Sequence, residues 1–199
     1  MADFSSEYLF SIGAMFGPSV VLEGEVWRLF SAMFLHGGIE HILMNMFSLF
    51  IVGRSVEGIF SRSSYLGIYL VSGLMGSLLS IYFHPVTVGI GASGAIFGIF
   101  GALAGFALVF HKQMNDDFIS FIRGFGLVLV LNLVIGLTIP NVDLSAHIGG
   151  LIAGLIGGLM VAKNPKHLWL YIGLMMIAMI AFYSYLPELY VNPSEVLYE

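Results

Sequence analysis

Cysteine is absent from the 199-residue chain. That excludes structural disulfides and thiolate metal sites, and it leaves the redox compartment open. Charge is scarce: 10% of residues are charged against 58% hydrophobic, and mean hydropathy is +0.96. A soluble domain of this length would need far more charge to cover its surface. The N-terminus also lacks the basic flank and apolar core of a signal peptide. With so few charged groups, the net charge of −5 gives no reason to invoke nucleic acid. What the chain does have is a series of apolar blocks of roughly 16 to 19 residues, close to the length that crosses a bilayer. The chain is read as an all-α, polytopic helical membrane bundle with the lipid bilayer as its solvent.

Six spans are predicted: Ile39–Glu57, Tyr65–Phe83, Ser93–Phe110, Phe121–Ile139, His147–Ala162 and Leu168–Leu186. The connectors are short, and neither a repeat nor a linker divides the chain. Arg54, Arg62, Lys112, Arg123, Lys163 and Lys166 fall in or beside alternate connectors, which the positive-inside rule makes cytoplasmic. Both ends and the loops His84–Ala92 and Pro140–Ala146 then lie outside, and Arg28 is the exception. Two spans are short, Ser93–Phe110 reaching about 27 Å and His147–Ala162 about 24 Å, against a hydrocarbon core of about 30 Å. Their outer ends, Ser93 and His147, should stop below the membrane surface. Irregular backbone at that depth needs burial or water, so a cavity open to the outside is expected.

Polar groups within spans are costly and are functional candidates by default. The informative set is Ser93, His147, His36, His41 and Asn45. A serine becomes nucleophilic when a base removes its proton, and histidine is the usual base. At a helix start Ser93 would also have unpaired backbone N–H groups and the positive end of the dipole around it. A plain N-cap is the competing reading of Ser93. His41 and Asn45 lie four apart on one helix face and both can donate hydrogen bonds. His36 is expected to shape its loop or orient His41. A metal reading of His36 and His41 is weak, since their spacing matches no ligand motif and only Glu40 is an adjacent carboxylate. Asp143, four residues before His147, is expected to be a solvated loop residue.

Glycine spacing favours the reactive reading. Gly94 and Gly98, then Gly101 and Gly105, form small-xxx-small pairs on the Ser93 helix, and Gly150, Gly154 and Gly158 repeat the spacing behind His147. Such faces let helix backbones approach closely in lipid. If the faces meet, Ser93 and His147 meet too, and Phe97, one turn from Ser93, can stack on the imidazole. Gly158, deepest along the helix, is expected to tolerate enlargement best.

The stretches "EVWRLFSAMFLHGGIEHILMNMFSLFIVGRSVE", "GIGASGAIFG" and "AHIGGLIAG", spread over residues 11 to 162, resemble the rhomboid family of intramembrane serine proteases. The resemblance implies Ser93 as nucleophile and His147 as general base, with an oxyanion hole from the Ser93 N–H, His41 and Asn45. It places His36, Gly91, Gly94, Phe97, Gly150 and Gly154 in support, and Trp27 and Arg28 in the family's W-R element. Residues 1–27 are read as an outer or interfacial connecting segment, 28–162 as the catalytic membrane core, and 163–199 as an additional C-terminal helix and tail. The family's first helix has no counterpart before the W-R element. Tyr8–Leu22, broken by Gly13, Gly17 and Pro18, is too short to span. The implied activity is an endopeptidase acting on transmembrane segments of other membrane proteins, with no cofactor or metal. The alternative is an inactive rhomboid-like protein that binds such helices. A transporter reading would predict paired discontinuous helices, which are not found. A multi-pass protein of the bacterial plasma membrane is expected from the compact form and lack of targeting segments. Oligomeric state is left open.

Overall fold

The computed structural model describes residues 4–138 and 142–191. Helix dominates, because in lipid each segment must satisfy its own backbone N–H and C=O groups. The elements are α1 (Ser6–Ser11), β1 (Met15–Phe16), α2 (Gly17–Val21), α3 (Arg28–Ser31), α4 (Ile39–Ser48) and α5 (Arg54–Glu57). They continue with α6 (Arg62–Phe83), β2 (Val88–Gly89), α7 (Ser93–Phe110), α8 (Asp116–Thr138), α9 (Leu144–Val161), α10 (Leu168–Tyr185) and α11 (Glu188–Val191). A π-helical stretch, Leu49–Gly53, joins α4 to α5 into one longer rod.

Among the described residues five helical segments are long and apolar enough to cross a membrane: Ile39–Glu57, Arg62–Phe83, Ser93–Phe110, Leu144–Val161 and Pro165–Val191. The remaining expected span falls in α8, whose apolar stretch is Phe118–Val134; its expected end, Ile139, lies outside the described residues. The protein is a multi-pass helical membrane bundle. One helix start differs from expectation. α9 begins at Leu144, not His147, because the Asp143 side chain caps it by accepting the Ala146 N–H at 3.0 Å. His147 therefore sits inside the first turn rather than at its edge, and Asp143 is a cap rather than a solvated loop residue.

α7, α9 and α6 form the centre, with α7 lying along α9 and α6 closing the third side. The glycine faces meet. A Cβ at Gly150 would collide with the Gly94 carbonyl, at Gly154 with the Gly98 carbonyl, and at Gly158 with the Ala102 carbonyl. Gly98 in turn faces Ser72 of α6, and Gly101 the Leu151 carbonyl. Gly158 is as tightly opposed as the others, so the expectation that it tolerates enlargement does not hold sterically. α10 packs on the outside of α6 and α9, where the buried Tyr171 hydroxyl donates to the Ala153 carbonyl at 3.1 Å.

The outer segment is short pieces held by polar contacts. Its longest helix within residues 4–27 is α1, with 6 residues. Arg28 is buried and donates from Nη1 to the carbonyls of Phe10 (2.8 Å) and Ala14 (3.0 Å), while its Nε pairs with Glu25. Its guanidinium also lies over the Phe10 ring at 4.2 Å and the Trp27 ring at 4.6 Å. Far along the chain, Tyr183 Oη donates to Val20 O and Tyr190 Oη to Pro85 O, both at 2.8 Å.

A leucine at Gly154 or Gly158 must drive α7 and α9 apart, and overpacking of this kind costs typically about 1–3 kcal/mol. Both variants should lower the thermal unfolding midpoint in detergent by several degrees. Gly173→Leu on α10, where a Cβ would meet nothing within 4 Å, should leave it unchanged. Equal midpoints for all three would refute the packing account.

Candidate active site

The loop before Ser93 is fixed from two sides. β2 pairs antiparallel with β1 through Met15–Gly89 and Phe16–Val88, and the Gly91 N–H donates to Ala32 O at 2.9 Å. Gly91 has φ +116°, a conformation L side chains rarely adopt, and it turns the chain into α7. The cap position belongs to Ala92, which makes no side-chain cap bond. Ser93 is thus the first helical residue and not the cap, and its hydroxyl accepts no bond from the helix. The leading N–H groups of α7 stand around it without intrahelical partners.

His147 arrives from α9. It is 7% exposed, and its ring stacks on Phe97 at 4.2 Å between centroids with the planes 8° apart. The stacking expected from the sequence is present, one turn below Ser93. The two helix starts touch through Gly94 and Ala146, a Cβ on Gly94 falling 3.3 Å from the Ala146 carbonyl. Among the described residues no hydrogen bond joins Ser93 to His147, and His147 Nδ1 is buried without a partner. Catalytic hydrogen bonds are often long in substrate-free structures and tighten later.

α4 supplies the third side. His41 Nδ1 accepts the Gly37 N–H at 3.2 Å, so in the neutral ring the proton sits on Nε2, which is a donor. That nitrogen borders the space left by the missing side chain of Gly91: a Cβ there would lie 3.0 Å from His41 Nε2 and 3.8 Å from Ser93 Oγ. Asn45 is buried, and its amide nitrogen donates one hydrogen to His41 O at 3.0 Å, leaving the second. The His36 ring stands edge-on to His41 at 5.0 Å, with no well-formed hydrogen bond to either nitrogen among the described residues. Burial pulls the His36 imidazole below its ordinary value, and the Phe34 backbone opposes this only in part.

The structure thus gathers Ser93, His147, Phe97, Gly94, Gly150, His41 and Gly91 at the N-terminal ends of α7, α9 and α4. Trp27 and Arg28 are elsewhere: Trp27 is half exposed, and Arg28 organises the outer segment. Two contributors escaped the sequence reading. The Gly37 N–H sets the His41 tautomer, and Asp143 sets the start of α9. The sequence signal for Asp143 was its place three residues before the Ala146 N–H that it caps.

Against known families, residues 23–164 match the Rhomboid domain. The chain belongs to the rhomboid family. RHOMBOID-like protein 6, mitochondrial, of Arabidopsis thaliana is 39% identical over 165 residues, covering 83% of this chain and 53% of that protein. Rhomboid protease GluP of Bacillus subtilis is 40% identical over 154 residues, 75% of this chain and 29% of GluP. RHOMBOID-like protein 1 of Arabidopsis thaliana is 36% identical, with 82% and 41% covered. This rhomboid therefore spans about half, or less, of the length of the curated relatives it matches. The relatives come from a plant as well as a bacterium, so they lend no support to the expected bacterial plasma membrane.

Gly91→Ala in this rhomboid would place a strained residue against His41 Nε2. The left-handed conformation costs an ordinary L residue about 1–2 kcal/mol. Labelling of Ser93 by a fluorophosphonate should slow by about tenfold or more, since small misplacements at a site cost up to about 10²-fold. Unchanged labelling would remove Gly91 from the site. His36 makes a pH prediction. A depressed imidazole stabilises the fold fully above the unfolded value of about 6.5, and that stability is lost as pH falls below it. Unfolding midpoints should therefore drop on acidification, and His36→Phe should reduce the drop.

Proposed function

We propose that this rhomboid is an intramembrane serine endopeptidase that cleaves transmembrane segments of other membrane proteins through a Ser93–His147 dyad. The observation carrying this reading is the His147 ring stacked on Phe97, one turn from Ser93, with both helix starts locked by glycine contact. A buried ring clamped on one face has little rotational freedom, which suits a base that must meet one hydroxyl.

In the proposed reaction Ser93 Oγ attacks a substrate peptide carbonyl as its proton passes to His147 Nε2. The carbonyl becomes a tetrahedral oxyanion beside Oγ. The donors proposed to meet it are the Ser93 N–H, His41 Nε2–H and the second Asn45 amide hydrogen. Collapse of the intermediate breaks the C–N bond, and His147 returns the proton to the leaving amine. Water, deprotonated by His147, then releases the acyl group and restores Ser93. The missing side chain at Gly91 leaves room for the carbonyl between His41 and Ser93. By the distribution of basic residues the site opens on the outer side of the membrane.

A fluorophosphonate should label the purified protein at Ser93, and Ser93→Ala should abolish both labelling and cleavage of a transmembrane substrate. His147→Ala should do the same with the helices still folded. Absence of labelling in a folded wild-type protein would favour the non-proteolytic, helix-binding alternative. Asn45→Ala should slow turnover by about 10²-fold, the usual effect of losing one oxyanion donor. A turnover number equal to wild type would reduce Asn45 to helix packing.

A further inference from the structure

The carboxylate at the start of α9 carries a role the dyad alone does not include. Asp143 Oδ1 accepts the Ala146 N–H at 3.0 Å and the Ser145 hydroxyl. The Ser80 hydroxyl of α6 faces the same carboxylate, and His84 Nε2 stands 3.8 Å from Oδ1. Burial works to raise this carboxyl, but the hydrogen bonds of Ser145, Ser80 and Ala146, with His84 beside them, outweigh it and hold the group below its ordinary value. Asp143 is an anion at neutral pH. It lies four residues before His147, whose N–H reaches the Asp143 carbonyl at 3.3 Å, so the two share a helix face one turn apart.

His147 has the opposite condition. The ring is buried, one face is covered by Phe97, and among the described residues Nδ1 has no acceptor. A proton taken from Ser93 creates a cation in a desolvated place, which is costly unless a counter-charge is near. No carboxylate touches the ring, and Asp143 is the acidic group whose field reaches it among the described residues. The groups facing this pair are His84 beyond the end of α6 and His41 from α4.

We propose that Asp143 is a positioning residue whose negative charge supports His147 through space while the imidazole holds the serine proton. The inference rests on His147 being the base. The charge is separable from the cap, because Asn and Ser cap helices about as well as Asp and are neutral.

The test uses the full chain in detergent, with kcat and KM for a transmembrane substrate and the unfolding midpoint measured for each variant. Asp143→Asn should lower kcat about tenfold, the size of a modest through-space charge effect, with KM and midpoint unchanged. Asp143→Ser should match it and decides the matter if the Asn variant fails to fold. Wild-type kcat in either folded variant overturns the proposal. A loss of kcat seen only alongside a lowered midpoint also overturns it, since the group would then be a cap alone. His147→Ala separates the two levels: if that variant still cleaves, the base assignment itself falls. A dead His147→Ala with a fully active Asp143→Asn sinks only the role of Asp143.

Discussion

Everything at the outer end of this protein depends on how closely the backbones of α7 and α9 approach. Hydrophobic burial does not drive helices together in lipid, so contact must come from packing and polar groups. Here the contact is between main chains, with Gly150, Gly154 and Gly158 of α9 set directly on carbonyls of Gly94, Gly98 and Ala102. A Cβ at any of these α9 glycines would fall within 2.2 Å of a carbonyl oxygen, so a side chain there forces the helices apart. Because the contact begins at the residues next to Ser93 and His147, packing and chemistry share one geometry. The third helix, α6, enters at the same level, where Gly76 meets the Ala146 carbonyl.

Much of this was legible in the sequence because it is written in local spacing. The four-residue spacing of glycines along both helices encoded the interface, and the place of Phe97 one turn from Ser93, under the His147 ring, then followed. The same locality explains the misplaced start of α9. Whether an aspartate ends a loop or begins a helix turns on a backbone dihedral that side-chain pattern does not encode. The β1–β2 pairing joins residues some seventy positions apart through main-chain groups, and no periodicity announces it. The same holds for Gly37, whose contribution to His41 is a backbone N–H that every residue but proline carries.

The site also shows how polar groups are arranged in an apolar protein. His41 and Asn45 do not pair with one another through their side chains. Each is tied by a backbone contact, Gly37 N–H for His41 and His41 O for Asn45. His36, packed edge-on against His41, adds bulk and rigidity without taking either nitrogen of its neighbour.

The knot around Arg28 has a consequence for how freely this sequence can drift. The guanidinium is read by carbonyl oxygens of Phe10 and Ala14, and the Ser31 hydroxyl donates to the carbonyl of Gly13. Carbonyls belong to every amino acid. Residue identity is therefore demanded at the donors, positions 28 and 31, and at Glu25, whose carboxylate pairs with Arg28, while the carbonyl acceptors are specified by the path of the chain. Over generations the outer segment can exchange most of its side chains and still close on the same arginine, losing at Phe10 only the ring over which the cation lies.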